Sequence, residues 1–598
     1  MNRISGSLAT PPDTSAGVRT CDLVVVGSGA GGLATAVTAA FLGLDVVVVE
    51  KDAHLGGTSA WSGGWMWIPR NPLAVEAGIV EDIEAPRTYL KAELGNAYDE
   101  ALVTALLEQG PRMVDFFRSN TSLAFVDGNG VPDFHDTSPG AANGGRSLCA
   151  APFDGRVLGA RIADLRTPLD LISPFGMGIA AGRDMSQFLE ATRSLGAFTH
   201  AAKRMLRHFA DVARHGRGMH LVNGNALVAR LLKSADDLGV TILTSCPVRE
   251  ILMEDGRTVG IRAGADGGVS EIRARRGVVL AAGGFPHDLA RMAALFPHAP
   301  TGREHWSAAP QTNSGDGIRL GEAAGGCLRT DLSDAGAWAP VSLVPQADGT
   351  TASYPHLVER AKPGLIMVRR DGRRFANEAD SYHDVMRALL AATPPGAPVE
   401  AWMICDHPFQ RHYGLGRTRP RPFPLRPWLA NGYLKRGSSF AELARACGID
   451  AAGLEQTLAD YNRAAARGED PAFGRGSSLY NRVQGDAAQA PNPCVAPIAC
   501  GPFYAVKVVA GSLGTFAGLA TDAHARVLDA SGAPIAGLYA VGNDMSSMMG
   551  GRYPAGGITL GPAMTFGFVA AHHASGTPLP SDTTDCGQQL PPGESHAL

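Results

Sequence analysis

The chain is poor in the features that would tie it to an oxidising compartment, a membrane or a polyanion. Its nine cysteines are odd in number, scattered, and never arranged as C-x-x-C. That excludes a disulfide framework and a zinc ribbon, and leaves reduced, mostly structural thiols. No apolar run approaches membrane-spanning length. The opening MNRISGSLATPPDTSAGVRT has no apolar segment of the signal-peptide kind and reads as a flexible leader. Lysine and arginine form no run and the net charge is only −4, so electrostatics gives no reason to expect a nucleic-acid partner. No internal repeat and no metal-ligand spacing stand out. A cytoplasmic protein without an integral membrane segment is expected, with peripheral membrane contact left open.

Glycine, by contrast, is abundant: 74 of 598 residues. Such usage favours tight turns and close approach of backbone to ligand over long solvated helices. The length exceeds what one hydrophobic core organises, so two or more domains are expected.

The first patterned segment is CDLVVVGSGAGGLATAVTAAFLGLDVVVVEK, residues 21–51. Leu23–Val26 and Val46–Val49 are short Val-rich runs, the form of strands buried on both faces of a parallel sheet. Between them LATAVTAAFLG has helical spacing and ends at Gly43. Gly27, Gly29 and Gly32 fit G-x-G-x-x-G in this βαβ frame. The first permits the tight turn, the second lets a pyrophosphate reach the helix N-terminus, and the third allows close helix–strand packing. Glu50, about 20 residues on, is placed to accept ribose hydroxyls. Dinucleotide binding follows. The next loop, KDAHLGGTSAWSGGWMWIPRN, supplies Gly57, Thr58, Ser59, Ser62, Gly63 and Gly64 as glycines or small alcohols able to line phosphate and flavin. Trp61, Trp65 and Trp67 serve equally well there as a cofactor wall or as core.

Helices are expected over 101–118 and 181–217, then a helix and two strands in GMHLVNGNALVARLLKSADDLGVTILTSCPVREILMEDGRTVGIRA. RRGVVLAAGGFPHD is a buried strand running into Gly283–Gly284, and NSGDGIRLG sets Asp316 at a helix start where amides can face the cofactor. Texture changes over 295–499, richer in Pro, His, Trp and Arg, with RPRPFPLRPW as an irregular excursion. After residue 500 the strand–glycine–helix style returns.

The ordered set GSGAGG…E, GGTSAWSGGWMWIP, LAAGGF, GDGIRLG, RRFANEADSYHD, GLYAVGND and GGRYPAGGITLGPAMTFG spans residues 22–574. It resembles the fumarate reductase/succinate dehydrogenase flavoprotein family, specifically its FAD-dependent 3-ketosteroid dehydrogenase branch. The resemblance implies an α/β fold, a Rossmann-type FAD-binding domain with an inserted α+β catalytic domain. Bounds of 21–294 and 500–580 for the FAD-binding parts follow, with a helical insertion at about 151–217, the catalytic domain at 295–499 and a flexible tail at 581–598. It adds Ala30, Lys51, Ala282, Gly283, Asp316, Gly542, Asn543, Gly557, Thr559 and Leu560 to the cofactor set. Relatives with covalent FAD carry a histidine where this chain has Gly57, and His54 is out of register, so the FAD is expected to be non-covalent.

Desaturating a ketone needs a base for the α-hydrogen, donors for the enolate oxygen and an acceptor for the β-hydride. By resemblance Tyr553 and the Gly557 amide grip the carbonyl and Tyr382 is the base. A further family tyrosine falls where this chain has Phe134 and His135, which makes His135 a catalytic candidate. Packing alone also accounts for Tyr553, and a helix start capped by Ser381 accounts for Tyr382. The implied partners are a small hydrophobic ketone and a quinone- or dye-like electron acceptor. Two other functions stay open: an enoate reductase using Arg374 or Arg552, and a flavin-binding protein without turnover.

Overall fold

The computed structural model describes residues 18–191, 193–264, 268 and 270–580. The leader expected over 1–20 therefore lies outside the described residues as far as residue 17, and the tail over 581–598 lies outside them entirely.

The βαβ unit forms as β1 (Arg19–Val26), α1 (Ala30–Phe41) and β2 (Val46–Val49). Leu23–Val26 runs parallel and in register with Val46–Val49. On its other edge β1 pairs in parallel with β3 (Ser270–Leu280), and β3 in turn with β4 (Pro534–Ala540). The strand Thr241–Leu243 extends the sheet beyond β2. Every side chain of Val46–Val49 is buried, because helices cover both faces of a parallel sheet. The sheet thus unites segments more than 500 positions apart, and its strand ends carry the glycine loops.

A second, six-stranded antiparallel sheet orders its strands 351–355, 341–345, 503–509, 400–405 and 365–368, with 434–437 also pairing to 503–509. Its strand 400–405 alternates: Ala401, Met403 and Cys405 enter one core, Trp402 and Ile404 the other. Period-two packing on both faces explains why this stretch reads as continuously apolar. From it emerges α2 (Tyr382–Ala392), and α3 (Leu560–Ser575) follows the glycine-rich motif near the end.

The helical stretch expected over 181–217 is two helices, Arg183–Leu189 and Leu195–His215. The second begins where the Ser194 hydroxyl accepts from the Ala197 amide at 3.4 Å, an N-cap the apolar spacing concealed. All eight cysteines among the described residues are free. Among these residues no helix is long and apolar enough to cross a membrane.

Candidate active site

One cavity of about 1810 Å³ runs between the two sheets. At the β1 end, Gly29 precedes α1 without a side chain to cap it, and with the Ala30 amide taken by Ser59 Oγ the next amide, that of Gly31, is left for a ligand. Gly32 stands one turn in and does not line the cavity. A Cβ there would lie 2.1 Å from the Gly27 carbonyl oxygen, so its role is the close helix–strand contact. Glu50 Oε2 accepts from Ser28 N at 3.1 Å and Ser28 Oγ at 2.7 Å, while Oε1 accepts from Asp52 N at 2.9 Å. These bonds lock its carboxylate at the β2 terminus with lone pairs to spare.

The return loops close around this point. Ser59 Oγ accepts from Ala30 N at 3.0 Å, and Asn313 Nδ2 reaches Thr58 Oγ1 at 3.0 Å and the Gly283 carbonyl at 3.2 Å. Lys51 pairs with Asp316 and donates to Ser314 Oγ at 2.7 Å. Asp544, wholly buried, accepts from Ala282 N at 2.5 Å and Gly284 N at 2.9 Å. Burial pushes its carboxyl up to about 6. Apart from Gly32, every residue expected to hold cofactor lines the cavity, including Gly57, Gly542, Asn543, Thr559 and Leu560. His54 does not line it and lies 3.6 Å from Asp52. The tryptophans divide: Trp61 and Trp65 are wall, and Trp67 is core, wholly buried with Nε1 on Asp133 at 2.8 Å.

Farther along, aromatic rings converge. Tyr553 is 5% exposed. Tyr382 meets it edge-on at 5.0 Å between centroids, and Phe134 stacks on it at 5.7 Å. Burial raises both phenols above their usual range, Tyr382 far above it, and the Tyr553 hydroxyl raises Tyr382 further. Tyr382 is the first residue of α2, with Ser381 Oγ accepting from Asp384 N at 3.1 Å. The capping role of Ser381 and the exposure of Tyr382 to the cavity therefore coexist.

Gly557 adopts φ +103°, and any Cβ would sit 2.6 Å from the Trp67 nitrogen. Its carbonyl accepts from Trp67 N at 3.1 Å, whereas no described residue accepts from its own N–H. A buried, unpaired amide on a cavity wall is the hydrogen-bond donor that a ligand oxygen would satisfy.

His135 lies off the cavity wall. Nδ1 bonds Glu93 Oε2 at 2.5 Å and Nε2 bonds Asp384 Oδ2 at 2.8 Å. Although burial opposes its charge, the hydrogen bonds to Asp384 and Glu93 raise it to about 10. An imidazolium with both nitrogens engaged clamps the Phe134 loop to α2. Phe134 N and Tyr89 Oη add bonds to the Pro554 carbonyl, at 2.9 and 2.7 Å, next to Tyr553. Arg374 is also off the wall, held by Glu378 at 2.7 Å and Asp470 at 2.7 Å.

A family model described as the FAD binding domain matches residues 22–560. The chain belongs to that family. It is 40% identical over 551 residues to a 4-oxocyclohex-2-ene-1-carboxylate 5-dehydrogenase of Sinomonas cyclohexanicum, covering 92% of this chain and 93% of that one. It is 36% identical to a 3-oxosteroid 1-dehydrogenase of Mycolicibacterium smegmatis, over 92% and 96%. Among solved structures, the 3-ketosteroid delta1-dehydrogenase of Sterolibacterium denitrificans superposes with a TM-score of 0.86 at 36% identity, covering 94% of this chain and 100% of that one. This member of the family is an FAD-dependent oxidoreductase of the 3-oxosteroid dehydrogenase type. The cradle fits FAD on its own geometry: a helix amide left open, a fixed acid at the β2 end and small-residue return loops.

Four participants were not marked by sequence reasoning. Ser28 and Asn313 sit inside the motifs GSGAGG and NSGDG, where any side chain able to tie two loops is a legible signal. Tyr480, whose ring lies 4.7 Å from Phe134, and Tyr354 also line the cavity. Neither stands in a local motif.

Proposed function

We propose that this enzyme desaturates a 3-ketosteroid or similar ring ketone to the α,β-unsaturated ketone. The substrate oxygen lies between the Tyr553 hydroxyl and the Gly557 amide, two donors whose bonds strengthen as enolate charge develops. Tyr382 removes the α-proton. Held neutral by burial, it works through its small phenolate fraction, and the charge of Arg360 assists that ionisation. Bound FAD, held non-covalently at the glycine end, supplies the acceptor for the β-hydride. Phe134, Tyr553 and Tyr382 form a dry aromatic wall that excludes water from the developing enolate. His135 acts as a positioning residue, through Asp384 on α2 and through the Phe134 loop. An external quinone- or dye-like acceptor completes the cycle.

The observation that carries this reading is the unpaired Gly557 amide beside two packed phenols on the wall of the cofactor cavity. Both named relatives act on ring ketones, one a single ring and one a steroid. The test is anaerobic bleaching of the flavin by saturated and partly unsaturated 3-ketosteroids and cyclohexanones. Rapid bleaching is expected. Tyr553→Phe should keep its flavin and lose about 10²–10³-fold in kcat, the scale for one oxyanion donor. Flavin that no ring ketone bleaches, yet whose reduced form fumarate-type acids oxidise, would replace the reading with an enoate reductase.

A further inference from the structure

The wall of the cavity contributed by residues 411–421 is strongly cationic. Arg411, Arg417, Arg419 and Arg421 all line it, and among the described residues none of the four forms an ion pair. Arg419 rests on neutral partners, with Nη2 on the Ser173 carbonyl at 3.0 Å and the guanidinium 5.7 Å from the Phe423 ring. Arg417 lies 5.8 Å from the Trp428 ring. Arg411 donates to the Phe423 carbonyl at 3.1 Å. The loop is fixed by a turn in which Leu415 and Thr418 exchange backbone bonds of 2.9 and 3.1 Å. Tyr354 lines the same wall, and no described residue hydrogen-bonds its hydroxyl; burial and then the Glu359 charge push the phenol well up, against the smaller opposing charges of Arg419 and Arg417, so it stays a donor. The acid on this wall, Glu359, is held by His356 at 2.6 Å.

Two guanidiniums that repel each other in a partly desolvated wall are costly unless an anion arrives. Burial first and the Arg417 charge second hold Arg419 down, to about 10. We infer that this wall binds an anionic group carried by the substrate, a carboxylate received by Arg417 and Arg419 with the Tyr354 hydroxyl. The assigned substrate class is an acidic ring ketone. This rests on the ring-ketone reading above and narrows it. Planar guanidiniums suit a carboxylate because two parallel N–H donors match its two oxygens.

The experiment compares a cyclohexanone carboxylate with its methyl ester on the purified flavoenzyme. In the wild type kcat/KM should favour the acid by about 10–100-fold, the range of a charge-assisted contact, mostly through KM. Added salt should weaken that preference. In Arg417→Gln/Arg419→Gln the acid-to-ester ratio should fall towards unity while flavin content holds. An equal loss for acid and ester, or loss of flavin instead, would overturn the inference. Should the double variant fail to fold, wild-type inhibition decides. Cyclohexanecarboxylate should inhibit oxidation of a neutral ketone at a concentration at least about tenfold below that of cyclohexylmethanol, and equal inhibition refutes the site. Turnover of neutral ketones without any acid preference sinks this inference alone, whereas flavin that no ring ketone bleaches sinks the ring-ketone reading with it.

Discussion

The two ends of the cavity are built by different physics. At the nucleotide end the backbone does the building: Gly32 lies against the Gly27 carbonyl and α1 begins without a side-chain cap. Behind Tyr382 charge does it. Glu378, wholly buried, accepts from Arg374 Nη2 at 2.7 Å, Arg475 Nη1 at 3.1 Å and the Met367 amide at 3.0 Å, and Arg374 also reaches Asp470. The first kind of construction fails when an atom is added. The second fails when one partner is removed, because a buried charge is then left uncompensated.

Three perturbations sharpen that contrast. The largest effect is expected from Glu378→Ala, which takes from Arg475 its carboxylate and leaves Arg374 with Asp470 alone. A loss of about 3–5 kcal/mol in denaturant-measured stability follows from breaking a buried ion network, and a shift below about 1 kcal/mol would break the comparison. Next comes Gly32→Ala. The added methyl should weaken the flavin cradle by about 1–3 kcal/mol, as overpacking does, read as a raised FAD dissociation constant. Undiminished flavin retention would show that the turn has slack.

The smallest step, about 1.4 kcal/mol for each unit of pH, is that of the pH profile. Burial and the neighbouring Tyr553 raise Tyr382, so the phenolate fraction grows with pH and kcat/KM should climb about tenfold per unit from pH 6. His135 sets the upper limit. Its pKa is raised on folding, so the clamp contributes fully below about 6.5 and is lost as pH passes about 10. The profile should turn down there. A flat profile from pH 6 to 9 would remove Tyr382 from the role of base.

The nucleotide end was legible because its information is local. Gly27, Gly29, Gly32 and Glu50 lie within one βαβ unit, and their spacing follows from strand and helix geometry. The aromatic end was legible only by resemblance, for Tyr382 and Tyr553 are 171 positions apart in number and meet through two different sheets. His135 shows the limit from the other side. A histidine beside Phe134 suggested proton transfer, yet Glu93 and Asp384, brought from elsewhere in the chain, engage both its nitrogens. The tryptophans near residue 65 are ambiguous for a similar reason: Trp65 and Trp67, two apart on one strand, share a face, and only the depth of burial in the folded chain separates wall from core.

By itself the sequence determined the parallel strands, the glycine turn and the acid that ends β2, since each depends on residues a few positions apart. Only the tertiary structure decided which phenols touch and that, among the described residues, the Gly557 amide has no acceptor and four arginines share a wall without a counter-ion. Those are properties of long-range juxtaposition and of desolvation, and no stretch of chain carries them alone.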